Sequence, residues 1–442
     1  MPEFLPFVGT RYDSSKVTLA NVTSPPYDVI SDELRDVLYA RDEHNVVRLE
    51  FSREPDPYAS AYQLLRQWEQ QGILRREANP GYYVYRQIFH APGIDASGGS
   101  APRISEMTRT GVIGRLRLSP YDAKEIIPHE RTHAGPKQDR MRLMEATRAN
   151  FSPIFGLISD PSFVFDQTLE IATVQPAIAN LEEELPDGRT IRHLLWRLDD
   201  QGAIERIARI VGSQSVVIAD GHHRYETALE YQGRHPEIPQ AGYIMSYVSN
   251  LQSQGTVILP THRLLHDAPN FNQYRLLESL KERFELVPVN TREEGIALLD
   301  RDDQAISLLE FSEVPRFVLL RDNIPPARDV TSSVLPVSRI EKEIFREIIG
   351  LSDDAIARRT NLFYPHTMAE LDEMKESAPW DVAFLVRAVN PEQVMAIVHH
   401  GEFMPQKTTY FYPKLLTGLV IHEFEAQEGA SLGSQARKSV YL

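Results

Sequence analysis

The 442-residue chain contains no cysteine. That absence excludes disulfide frameworks, thiolate metal centres and thiol nucleophiles. Long apolar runs are missing too. Nothing approaches the roughly 18 consecutive apolar residues of a membrane-crossing helix. Residues Met1 to Thr10 show no basic stretch leading into an apolar one, so no secretory signal is read and the cytoplasm is the default expectation. Basic charge is short: 47 Lys and Arg stand against 62 Asp and Glu, a formal charge of −15. Such a field repels a phosphate backbone, so broad nucleic-acid binding is not expected. A small anion held in a pocket is not excluded, because local donors dominate at short range. There is no internal repeat, no Walker motif, and no useful GxGxxG or GxSxG.

What is present is ordinary globular material. Hydrophobic residues make up 42% and charged residues 25%, enough for a sizeable core in two or three packed units. The pattern predicts a mixed α/β (α+β) chain: a main unit over 1–265, a second, smaller α+β unit over 266–400, and a segment 401–442 packing back on the first.

In the main unit, Ser31 caps a helix whose apolar face is Leu34, Val37 and Leu38. Asp56 caps another with Pro57 at its first position, and Tyr58, Ala61, Tyr62, Leu65 and Trp68 form its buried stripe. Asn45 and Arg48 fall at an expected strand start, with Arg48 reaching an anion or pairing with Glu50. Strands are expected over Gly81–His90 and Thr110–Leu118 with Ala91–Pro102 as their loop. A helix is read over Lys137–Asn150 and a strand near Ile154–Ser159. In the second unit short helices and strands alternate from Tyr274 to Leu320.

Chemistry concentrates in Ser215-Val-Val-Ile-Ala-Asp220-Gly-His-His-Arg-Tyr225. The apolar run reads as a buried strand. Gly221 permits a tight turn into a helix that packs through Tyr225, Ala228 and Leu229. His222, His223 and Arg224 then occupy the first helical turn, where backbone N–H groups and the dipole favour an anion. Helix starts normally attract acidic residues, and a local conflict of this kind marks a site more often than a stability device. Arg224 offers bidentate hydrogen bonds, the histidines can move protons near neutral pH, and Asp220 could hold magnesium or act as a base. The plain alternative is a capped turn carrying surface histidines.

Pro128-His129-Glu130-Arg131-Thr132-His133 matches HExxH literally. However, Pro128 before it and Gly135-Pro136 after it forbid the helix a zinc hydrolase requires. A polar loop is the better reading, with Glu130, His133, Lys137 and Arg140 lining a phosphate site; a solvated charged loop is the alternative. Ser24-Pro25-Pro26-Tyr27-Asp28 places Tyr27 and Asp28 just before a helix, with Asp28 catalytic or the segment simply a structural turn. Met404-Pro405-Gln406-Lys407-Thr408-Thr409 through Lys414 has an anion-binding composition. His262-Arg263 is a weaker signal.

Five segments occur in one order: Ser24-Pro-Pro-Tyr-Asp-Val-Ile-Ser31; His129-Glu-Arg-Thr132 with Lys137 and Asp139-Arg140; Asp220-Gly-His-His-Arg-Tyr-Glu-Thr-Ala228; Pro260-Thr-His-Arg263; and Pro405-Gln-Lys-Thr-Thr-Tyr-Phe-Tyr-Pro-Lys414. Together they resemble the bacterial and archaeal family called domain of unknown function 1015, over nearly the whole chain. The Asp220–Arg224 turn also resembles the Gly-x-x-Arg phosphate motif of the ParB and sulfiredoxin-like fold. That fold includes DNA-partitioning nucleotidases, sulfiredoxin and free-serine kinases. Without cysteine, sulfiredoxin chemistry is unavailable, and the acidic charge speaks against DNA partitioning. The resemblance therefore implies a ParB/sulfiredoxin-like phosphate-binding core moving a phosphoryl group to or from a small hydroxylated metabolite, with serine or phosphoserine the first guess.

On that expectation Arg224, His222 and the Gly221 backbone hold the phosphate, while Asp220 or Glu130 serves as base or Mg2+ ligand. His223 and His129 transfer protons. Lys407, Lys137 and Arg140 add positive charge, with Asp28 and Arg48 at the substrate. The expected partner is a small phosphorylated metabolite or a nucleotide, and kinase and phosphatase directions both stay open. Two rivals stand beside this: a non-catalytic binder of a nucleotide or small anion, and a metal-dependent hydrolase built from His129, His133, His222 and His223.

Overall fold

The computed structural model describes residues 1–92, 106–130, 137–185, 187–269, 271–323 and 331–424. Two sheets dominate the described residues. The larger has nine strands. Eight run in the spatial order Ile126–Pro128, Val216–Asp220, Ile154–Ile158, Tyr243–Asn250, Met107–Arg117, Tyr82–Phe89, Thr190–Leu198 and Ala179–Glu184, while Phe4–Leu5 pairs separately with Met107–Arg117. It is mixed: Val216–Asp220 is parallel to Ile126–Pro128 but antiparallel to Ile154–Ile158, which is in turn parallel to Tyr243–Asn250. The chain is thus a mixed α/β protein, as its sequence predicts.

Alternation along Val216–Asp220 explains why that strand reads as an unbroken apolar run. Val216 and Ile218 pack into one cluster with Met144, Tyr225 and Ala228. Val217 and Ala219 point to the other face, into the cluster containing Phe155 and Tyr247. A strand covered on both faces has no polar side to show. Its run ends only at Asp220, on the rim.

The second sheet has six antiparallel strands in the order Phe284–Val289, Phe317–Asp322, Ala305–Phe311, Val382–Leu385, Arg263–Leu265 and Leu362–Phe363. One apolar cluster runs through both sheets, joining Tyr85 and Leu157 to Leu309, Phe384 and Ile344. The chain then returns to segments flanking the first sheet, in two small two-stranded sheets: Tyr410–Tyr412 pairs with Val257–Leu259, and His422–Glu423 pairs with Ala149–Asn150. That return carries the Pro405–Lys414 segment across the end of the strand at Asp220. Among the described residues no helix is long and apolar enough to cross a membrane.

Local expectations meet mixed outcomes. The Ser31 and Asp56 caps form, each accepting from the backbone amide three residues on. The apolar faces are narrower than expected: Leu38 is buried but Val37 is 55% exposed, and Ala61, Leu65 and Trp68 are buried while Tyr62 is 47% exposed. Both helices lie on the surface, and a stripe only two positions wide suffices to seat them. The strand expected at Arg48 is instead the short helix Val47–Glu50, entered through the Asn45 side chain, which accepts from the Val47 amide at 3.0 Å. The helix starting at Lys137 ends at Thr147 rather than Asn150, because Arg148 takes a left-handed φ of 51° and the chain turns into a strand. The Ala91–Pro102 loop and the Arg131–His133 end of the HExxH match lie largely or wholly outside the described residues.

Candidate functional site

The turn after Val216–Asp220 sets the geometry. Gly221 sits at φ +90°, and a Cβ there would come within 2.9 Å of Ile154 Cγ2 and 3.1 Å of the Arg224 guanidinium. Glycine is required by both backbone and space. The helix His222–Arg234 starts immediately, with no side chain capping it. A cavity of about 320 Å³ opens at this helix start. It is lined by four cationic side chains, Arg224, Arg359, Lys407 and Lys414, and three carboxylates, Asp28, Glu130 and Asp220. His129, His222, His223, Tyr27, Gln406, Thr409 and Tyr410 complete its polar wall.

The two carboxylates expected from sequence as base or metal ligand are already engaged. Asp220 accepts from Lys414 Nζ at 2.7 Å and from Arg224 Nη2 at 2.8 Å. Burial pushes its pKa upward, but Lys414 and Arg224 outweigh burial and hold it well below the usual carboxylate range. Glu130 accepts from the backbone amides of Lys407 at 3.2 Å, Thr408 at 3.0 Å and Thr409 at 3.0 Å, and from the Thr409 hydroxyl at 3.1 Å. Burial again acts upward, yet His129 and these donors bring Glu130 down to about 2. Neither carboxylate offers a free oxygen pair to magnesium without first giving up an existing partner. Among the described residues there is no group of three or more His, Asp or Glu placed to hold a metal ion. The residues named for Mg2+ therefore do not fit a resident ion.

Arg224 is likewise held. Its Nη1 donates to the Pro153 carbonyl at 2.6 Å and its Nη2 to Asp220. Lys407 and Arg359 differ. Neither has an ion-pair partner among the described residues, and both line the cavity. Burial, then the neighbouring Arg359 charge, lowers the Lys407 pKa. Both residues take left-handed backbone conformations, at φ 57° and 58°. Lys407 is held there from two sides, by Glu130 on its amide and by buried Arg263, whose Nη2 donates to its carbonyl at 3.1 Å.

The histidines separate into two kinds. His129 is 1% exposed, and its Nδ1 faces the Ile218 carbonyl. A carbonyl can only accept, so Nδ1 carries a proton; Nε2 lies 2.6 Å from the Thr409 hydroxyl. His222 sits edge-on to it at 4.6 Å between ring centroids. Burial first, then His129, takes the His222 pKa down to about 3, so this imidazole is neutral at pH 7. Its Nε2 is buried without a hydrogen-bond partner among the described residues. His223 also lines the cavity.

Tyr27 and Asp28 arrive from the other end of the sequence. Ser24 bridges to Thr417, the Asn45 side chain donates to the Asn21 and Thr23 carbonyls, and the Arg140 guanidinium stacks 4.1 Å from the Tyr27 ring. Asp28 is exposed at the cavity mouth and has no ion-pair partner among the described residues.

Of the residues picked from sequence, Asp28, His129, Glu130, Asp220, Gly221, His222, His223, Arg224 and Lys407 share this cavity. Three do not line it. Lys137 pairs with Glu226, and Arg48 stacks on Tyr39 while donating to the Tyr39 carbonyl at 2.7 Å. Arg140 pairs with Asp139 and lines a void of about 40 Å³ behind Arg224. Neither Arg359 nor Lys414 stands out in the sequence as a site residue. Lys414 closes the Pro405–Lys414 motif; Arg359 has no local signal and reaches the cavity through tertiary packing alone.

A family model described as "Protein of unknown function (DUF1015)" matches residues 4–338. No protein of curated function matches the chain. Among solved structures, a free serine kinase mutant in complex with ADP aligns with 14% identity over 70% of this chain and 92% of its own, at a TM-score of 0.36. A conserved hypothetical protein from Pyrococcus furiosus aligns with 15% identity over 70% of this chain and 95% of its own, at 0.34. C-terminally truncated SbnI from Staphylococcus aureus aligns with 11% identity over 68% and 85%, at 0.32. These are distant likenesses.

Proposed function

The chain belongs to the DUF1015 family, and from its site we propose that it is a phosphoryl-transfer enzyme acting on a small hydroxylated metabolite or its phosphate ester, with serine or phosphoserine the first substrates to try. One observation carries the reading. Two cations without carboxylate partners among the described residues, Lys407 and Arg359, face the same cavity as a neutral imidazole with a nitrogen likewise unpartnered there.

Phosphoryl transfer asks the protein for positioned positive charge around the equatorial oxygens and an in-line approach, and for little covalent chemistry. Lys407 and Arg359 hold the phosphoryl group. Arg224 and Lys414 keep Asp220 ionised and contribute field rather than direct grip. Glu130 and Arg263 fix the loop that presents Lys407. Asp28, the carboxylate not tied into an ion pair among the described residues, takes the proton from the attacking hydroxyl or water. His222, held neutral, orients that nucleophile through a hydrogen bond at its unpartnered nitrogen. The hydroxyl oxygen bonds to phosphorus as the bond to the leaving oxygen breaks, and the proton passes to Asp28.

The test is turnover by the full chain of phosphoserine alone, and of serine with ATP or ADP, followed by phosphorus NMR. Product in either direction that disappears in Lys407→Met and His222→Gln supports the reading. No turnover across a broad phosphometabolite panel removes it.

A second reading has its own support. Asp220 and Glu130 are both fully engaged, which suits a non-catalytic binder of a small anion or nucleotide as well as an enzyme. Binding of ADP or phosphate that needs Lys407 but is indifferent to Asp28→Asn and His222→Gln, with no turnover, would favour it.

A further inference from the structure

A second cleft, of about 310 Å³, opens where the N-terminal segment Leu5–Val8 meets the strand His422–Glu423. It shares no lining residue with the cavity described above. Its walls are of two kinds. Leu5, Phe7 and Pro80 give apolar surface, and Arg76, Arg115 and His422 give hydrogen-bonding groups.

Two of its polar groups, Arg115 and His422, each carry a buried nitrogen without a hydrogen-bond partner among the described residues. Arg115 has no ion pair among the described residues; its guanidinium lies 4.7 Å over the Tyr243 ring and its Nε is buried without a partner. Glu423, the cleft's own carboxylate, is already satisfied by the Thr10 hydroxyl at 2.6 Å and by Arg66 at 2.6 Å. His422 is 2% exposed, and its Nδ1 is buried without a hydrogen-bond partner among the described residues. The ring sits edge-on between Phe7 at 5.0 Å and Phe424 at 5.5 Å. A phenyl ring would pack between those two faces without stranding a nitrogen, so packing does not account for an imidazole. Burial, followed by the Arg115 and Arg76 charges, brings the His422 pKa down to about 3. A neutral imidazole adds a hydrogen bond beside two guanidiniums without adding a third positive charge.

We propose that this cleft is a second ligand site, for a small organic anion. A carboxylate or phosphate head meets Arg115, Arg76 and His422, and an apolar body lies on Leu5, Phe7 and Pro80. The volume is at the lower end of small-molecule pockets, which suits one ring or a short branched chain. The net charge of the whole protein does not oppose this, since guanidiniums at contact distance outweigh a screened distant field.

Calorimetric titration of the full chain with benzoate, phenyl phosphate and inorganic phosphate tests it. At least one of the two organic anions is expected to bind, and which one identifies the head group. Arg115→Gln and Gln240→Glu should each weaken that binding at least tenfold; the second keeps the arginine and adds a carboxylate to the cleft wall. Lys407→Met, in the first cavity, should leave it unchanged. The proposal is overturned by any of four results: neither organic anion binds at millimolar concentration; inorganic phosphate binds the Lys407→Met chain as tightly as they do; Lys407→Met abolishes the binding; or Gln240→Glu binds as the wild type does.

Discussion

Asp220 is, with Glu130, marked by the sequence as base or metal ligand, and its surroundings give it a different task. A carboxylate gripped by Lys414 and Arg224 is a weak base. What it supplies is compensation for two partly buried cations. Asp220→Asn leaves both uncompensated, and breaking a pair of this kind costs on the order of 3 kcal/mol. Urea unfolding at pH 7 should show that loss, and a midpoint equal to wild type would refute the compensating role. Lys407 stands at the opposite extreme. Removing its ammonium in Lys407→Met subtracts a charge-assisted hydrogen bond to ligand, about 1.5–3 kcal/mol, or roughly ten- to a hundredfold in phosphate or ADP affinity. Stability should barely change, because no ion pair among the described residues is lost. Equal affinity in the variant would move the anion elsewhere. Composition and spacing identified which residue types gather here, yet could not say which of them were already paired with one another. Pairing is a matter of distance across the fold.

At the scale of elements, the strand–turn–helix around Gly221 was readable because each of its parts is local: an apolar run, a glycine, a helix start. Its conformational demand can be tested directly. Gly221→Ala must hold an alanine at φ +90° with its Cβ against Ile154 and Arg224, at a cost on the order of 1–3 kcal/mol. Thermal unfolding should fall accordingly, and ligand affinity should drop with it as the guanidinium is displaced. The loop Lys407–Thr409 was legible only as a composition. Its shape comes from Glu130, about 280 residues earlier in the chain, accepting from three successive amides. Glu130→Gln turns one acceptor into a donor facing N–H groups. Amide exchange at residues 407–409 is expected to accelerate roughly tenfold or more, while the central strands keep their protection. Unchanged exchange there would show that the clamp is dispensable.

Over the whole molecule, acid sensitivity follows from buried imidazoles. His222, His262, His366 and His422 are each brought down to about 3, chiefly by burial. An unfolded histidine titrates near 6.5. Between these values the unfolded chain binds more protons than the folded one, so stability rises with pH across that window. It is complete above about 6.5 and lost progressively as pH falls toward 3. Each group contributes at most about 1.4 kcal/mol per pH unit. Urea midpoints should therefore fall steeply from pH 7 to pH 5. A flat profile would mean that these rings are solvated or charged in the folded state.

By itself the sequence determined the mixed α/β class, the strand–turn–helix at Asp220, the two helix caps and the ordered motifs that mark the family. All of these depend on neighbours within a few turns of chain, where periodicity and φ preference act. Only the tertiary structure decided that Arg224 and Glu130 are already spent, that Arg48, Lys137 and Arg140 stand apart from the cavity, and that Arg359 joins it. Those outcomes turn on which charge comes within about 3 Å of which, and residues far apart in the chain meet only when the sheets close on a common core.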